Sequence, residues 1–197
     1  MLVWWAGASP ALAVDPAANH PVARSTAFGR EPVAGWAVFE LRGGLASSAA
    51  GARTMLCAEA SPHRLLALEA CGSGSGFLYA AAPGAVDIVH FRAEASIPIL
   101  TEGRTDLVLQ AGAGFTEVQR GQDAPGFAFG PARSPDQVEG AGPSGSVALK
   151  ARGWVRPGAY VSAEVDGGAA WIPAAPTVLG TAGPLRPFVT VSVGAGF

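Results

Sequence analysis

The chain has 197 residues, of which 49% are hydrophobic, 14% are charged and 27 are glycine, with a formal net charge of −2. It is too apolar and too weakly charged for a disordered protein, and too rich in glycine for a long helix or coiled coil. The glycines lack a three-residue period, which excludes a collagen; the charge balance gives no footing for nucleic acid, and two cysteines are too few for a disulfide scaffold.

In chain order, residues 1–13 (MLVWWAGASPALA) are apolar and end in Ala11-Leu12-Ala13, the small-x-small pattern of a signal-peptidase site. They are expected to be an export signal, cleaved after Ala13. No Lys or Arg precedes the apolar stretch, which is also short; a true start further upstream would explain both. Residues 14–32 carry three prolines and no regular period, and read as a linker. No later run reaches the ~18 apolar residues of a membrane helix.

From residue 33 onward the dominant period is two. Strands are predicted near 33–44, 52–59, 64–72, 86–98, 105–117, 144–154, 159–171 and 185–197. The segment Leu65–Leu68 is also compatible with a short helix. In the last strand Val189, Val191, Val193, Ala195 and Phe197 share one face, opposite Thr190, Ser192, Gly194 and Gly196. The strand at 86–98 sets Val89, Phe91, Ala93, Ala95 and Ile97 against His90, Arg92, Glu94 and Ser96. Short turns are expected at 60–63, 99–104 and 155–158. Longer loops are expected at 45–51, 73–85, 118–143 and 172–184.

Short turns at one end and long loops at the other are the layout of an outer-membrane barrel. A soluble sandwich or lipocalin-like barrel would give the same period with the apolar face inside. A membrane barrel reverses this, since lipid is then the outer solvent. Here the polar face is poor in Lys and rich in Gly and Ser, and the apolar face carries many small residues. Trp36, Trp154, Trp171 and Phe115 fall near strand ends, as aromatic girdle residues should.

The final amphipathic strand, ending in Phe197 with Val189, Val191, Val193 and Ala195 in phase, resembles the C-terminal assembly signal of bacterial outer-membrane β-barrels. The region 33–197 resembles the small eight-stranded barrels of the OmpA/OmpX type in pattern and topology. The resemblance implies an all-β, closed, antiparallel up-and-down transmembrane barrel of about eight strands in a bacterial outer membrane. Its implied partners are outer-membrane lipid and the barrel-assembly machinery, the latter through the last strand. A monomer without cofactor is expected, with no nucleic-acid partner.

An eight-stranded barrel is just wide enough for side chains to fill it. The polar phase would place Glu40, Arg42, Glu69, His90, Arg92, Glu94, Lys150, Arg152, Glu164 and Asp166 inside, where pairing is required. The turn at 155–158 sets Lys150 opposite or diagonal to Glu164. The expected role is a plug of ion pairs; the alternative is a narrow ion path.

Some barrels of the family hydrolyse or transfer lipid A acyl chains with Ser and His on the lipid-facing rim. Here the histidines are His20, His63 and His90, and only His90, with Ser96 or a loop serine, offers a candidate pair. No G-x-S-x-G element is present. Gly72 to Gly76 lacks the Lys-Ser/Thr of a phosphate loop. No catalytic residue is therefore assigned.

A turn at 60–63 separates Cys57 from Cys71 beyond the ~7 Å bridging limit, so either there is no bond, which is the expectation, or the hairpin is wrong and the segment is a disulfide-pinned loop. Their spacing does not suit a metal site. In the longest loop, Phe127, Phe129, Arg133 and Asp136 are the candidates for a contact surface.

Overall fold

A computed structural model describes residues 38–48, 51–73, 86–120 and 138–197. The two-residue periodicity becomes eight strands: β1 (Val38–Ser48), β2 (Gly51–His63), β3 (Leu66–Gly72), β4 (Val86–Glu102), β5 (Thr105–Arg120), β6 (Val138–Arg156), β7 (Ala159–Trp171) and β8 (Leu185–Gly196). Each pairs antiparallel with its neighbour in sequence, and β8 pairs with β1, so the sheet closes on itself. Closure satisfies the backbone donors and acceptors that an open sheet would leave at its edges.

The alternation sorts the two faces. Leu41, Val191 and Val193 point outward with 55%, 55% and 64% of their surface exposed, whereas Glu40, Lys150 and Asp166 are buried inside. The charged face is therefore the interior, the reverse of a soluble barrel.

Three two-residue turns, at 64–65, 103–104 and 157–158, lie at one end. Gly103 and Gly158 adopt φ of 56° and 74°, the left-handed conformation that tight hairpin turns demand. Val38 and Phe197 lie at this same end, and Phe39 and Phe197 exchange backbone hydrogen bonds of 2.8 and 2.9 Å. The other end carries the remaining four connections. The β7–β8 connection holds a short helix, α1 (Ala175–Leu179), with Pro176 in its first turn and Gly180 in the left-handed conformation after it. Ile172, Ala175 and Val178 are fully buried against Val118 and Ala170, so this connection folds inward and caps the interior.

Several expectations require correction. The loop at 45–51 does not exist: β1 and β2 run through it, with only residues 49–50 between them. The strands at the longest connection also extend further, to Arg120 and from Val138. The turn expected at 60–63 sits instead at 64–65, and Leu66–Leu68 is strand rather than helix. Pro62, which has no N–H to donate, is absorbed by a register irregularity between Ala60 and His63. The shifted hairpin puts Cys57 directly opposite Cys71 with Cα atoms 4.1 Å apart, and the two form a disulfide inside the barrel. Trp154 is not a girdle residue. It shares the inward phase of Lys150 and Arg152, donates from Nε1 to Asp106 at 2.6 Å and packs edge-on against Tyr160. Trp171 and Phe115 do face outward. Trp36, together with the expected signal segment 1–13 and linker 14–32, lies outside the described residues.

Candidate functional site: the charged interior

Strand register fixes which charges meet. Lys150 on β6 stands directly across from Glu164 on β7, and Nζ lies 3.1 Å from its carboxylate. The same ammonium bonds Glu59 and lies 3.4 Å from Glu40, so three strands converge on one cation. Arg42 on β1 is the hub. Its guanidinium bonds Glu59 and Glu69 and lies 3.2 Å from Glu164 and 3.5 Å from Glu40. Arg92 on β4 holds Glu69 at 2.6 Å and, across the interior, Asp166 at 2.8 Å, while Glu94 stands 3.9 Å away. Arg152 reaches past its cross-strand neighbour Ser162 to Glu59 at 3.6 Å.

Neutral groups complete the shell. Tyr160 donates to Glu40 at 2.8 Å, Ser162 donates to the same carboxylate, and Gln110 donates to Glu94 at 3.1 Å. His90 lies 3.3 Å from Glu69 and 3.0 Å from Arg92, with its ring stacked on Phe188. All ten charged residues expected in the interior are thus found there and in mutual contact. Glu59 escaped the sequence reading although it shares the phase of Cys57; misplacing the turn hid it. The uncharged Tyr160, Ser162 and Gln110 also had the inward phase, but nothing in a sequence marks which neutral groups will cap a carboxylate.

Four basic side chains (Arg42, Arg92, Lys150, Arg152) stand among six acidic ones (Glu40, Glu59, Glu69, Glu94, Glu164, Asp166). The carboxylate oxygens of Glu59, Glu69 and Glu94 come within 4.8 Å of one another. Arg42, Lys150 and Arg92 already contact them, which gives this trio the character of an ion-pair knot rather than a metal cage. The sulfurs that lie near His90 are consumed in the disulfide. His90 faces the interior rather than a lipid-facing rim, and Ser96 bonds Gln110 at 3.2 Å. Among the described residues, no hydrogen bond joins His90 to Ser96.

Val189, Val191 and Val193 lie exposed on the outer face of β8; Phe197 is 70% exposed and packs its ring on Phe39 at 5.8 Å. Ala195 shares their phase. Phe127, Phe129, Arg133 and Asp136 lie outside the described residues.

No model of a protein family and no curated protein matches the sequence. Solved structures do match the fold. Neisserial surface protein A aligns with a TM-score of 0.54 at 14% identity, over 81% of this chain and 94% of that one. The attachment invasion locus protein of Yersinia pestis aligns with a TM-score of 0.45 at 11% identity, over 81% and 95%. The N-terminal β-barrel domain of Pseudomonas aeruginosa OprF gives 0.45 at 9%, over 81% and 97%. The chain has the closed eight-stranded fold of the small OmpA/OmpX-like barrels.

Proposed function

We propose that this chain is a structural and interaction protein of a bacterial outer membrane, without catalytic activity. The observation that carries the reading is the reversal of faces. Leu45, Val147, Val165 and Val193 are more than half exposed outside, while Arg42, Glu59 and Lys150 are buried inside. In water the outer band would be an apolar surface far larger than monomers tolerate; in lipid it is the stable arrangement. The short-turn end is then periplasmic and the four other connections face outward, as in outer-membrane barrels generally. Under this reading β8 presents Val189, Val191, Val193, Ala195 and Phe197 to the barrel-assembly machinery. The outward connection bearing Phe127, Phe129, Arg133 and Asp136 is the surface for a partner, and the barrel acts as a monomer.

The test is fractionation with heat-modifiability. The chain is expressed behind an established signal peptide, and boiled and unboiled membrane samples are compared in SDS gels. A band confined to the outer membrane that shifts on boiling supports the reading. A product released into the aqueous fraction, with no shift, overturns it.

A further inference from the structure

Above the ion-pair knot, towards the end capped by α1, the interior is not filled. A small cavity remains there, part of it open to solvent. Its lining is mainly apolar on both sides, with Met55 and Phe188 standing beside the two arginines. One side, on β4, β5 and the β7–β8 connection, presents Ile88, Val118, Ile172 and Leu179. The other, on the adjacent strands β8, β1 and β2, presents Arg186, Thr190 and Arg53. Arg53 and Thr190 flank Ala46 from either side at one level of the sheet.

Four of the side chains lining this cavity hold a polar atom without a partner. Arg53 gives one N–H to the carbonyl of Val86, but its Nε is buried without a partner, as is Nη2 of Arg186. Neither guanidinium has a carboxylate partner among the described residues, in contrast to Arg42, Arg92 and Arg152 a few residues below. Thr116 and Thr190, lining residues only 5% and 3% exposed, have hydroxyls with no hydrogen bond. Buried donors without acceptors are costly, and mouths of β-barrels are recurrent ligand sites.

We infer that this cavity binds a small organic monocarboxylate with an apolar body. The carboxylate lies against Arg53, Thr190 and Arg186, where a planar guanidinium suits its two oxygens. The hydrocarbon lies against Ile88, Val118, Ile172 and Leu179. The site is intramolecular and does not depend on where the barrel resides.

The probe is octanoate, titrated into the full chain in nanodiscs of zwitterionic lipid and followed by NMR of labelled Ile, Leu and Val methyls. The expected result is saturable shifts at Ile88, Val118 and Ile172, with no matching shifts at the outward Val191 and Val193. Octan-1-ol, equal in chain length but uncharged, should bind about tenfold more weakly, the weight of a hydrogen bond to a charged group. Arg186→Gln, at a side chain whose Nη2 has no hydrogen bond and which forms no ion pair among the described residues, should weaken octanoate by a similar factor and leave octan-1-ol unchanged. Arg53→Gln is the second variant, and the heat-shifted band verifies that each is folded. Equal affinity for octanoate and octan-1-ol, indifference of octanoate to both substitutions, or non-saturating shifts dominated by Val191 and Val193 would each overturn the inference.

Discussion

Glu59 accepts from Arg42 and Lys150 and faces Arg152 at 3.6 Å. Few single atoms in this molecule matter more, because removing one partner of a buried pair leaves the others charged and unsolvated. Glu59→Gln should lower the stability of the refolded barrel by about 3–5 kcal/mol, read from urea midpoints by the fraction that keeps its heat-shifted mobility. Arg152→Gln is the control. Its side chain is 17% exposed, water can take over its solvation, and a loss of about 1 kcal/mol or less is expected. If the two variants lose equal stability, the network does not behave as a hub with a periphery. The disulfide permits a second comparison. With the two cysteines 14 positions apart in sequence, replacing both by alanine should cost about 3 kcal/mol. Unboiled and boiled samples run with and without reductant would show whether the barrel still closes.

At the scale of strands, the sharpest contrast is within β8, where neighbouring residues meet opposite environments. Val191 is outward and 55% exposed, while Ser192 beside it is 4% exposed in the interior. Val191→Arg should cost about 2–4 kcal/mol in a bilayer, as measured by equilibrium refolding into lipid vesicles. A neutral outcome would argue that this face does not meet hydrocarbon. The phase of every strand was legible in the sequence, because a two-residue period survives small errors in strand length. The β2–β3 hairpin was less legible. Ala60-Ser61-Pro62-His63 has the composition of a turn, yet β2 continues through it, and a proline next to a register irregularity gives no local signal that distinguishes the two. That one displacement concealed both the disulfide and Glu59. Trp154 failed differently: an aromatic at a strand end suits a lipid interface, but its even phase with Lys150 and Arg152 already placed it inside.

At the scale of the whole barrel, bulky interior residues face glycine across the sheet. Arg42 is opposite Gly194, Tyr160 opposite Gly196 and Phe188 opposite Gly168. Any Cβ at these glycines would collide with the larger partner. Alternating large and small residues is how a narrow tapering interior is filled, and here the filling is crossed by ion pairs that link opposite walls, such as Arg92 to Asp166. The reconstituted protein should therefore admit no small sugars in a liposome-swelling assay. Swelling at rates typical of porins would mean that the knot opens in lipid, and the interior would have to be read as a path.

The position of the disulfide also dictates an order of events. Its two sulfurs belong to one hairpin, so the bond needs no other strand and can form before the rest of the barrel is in place. Once β8 has met β1, Cys57 and Cys71 are 6% and 0% exposed, beyond the reach of any enzyme that exchanges thiols. Oxidation must precede ring closure, and the β2–β3 hairpin enters assembly with its register already locked. A chain kept reduced until its barrel had closed would therefore hold both thiols inside, where an oxidant supplied later would not reach them.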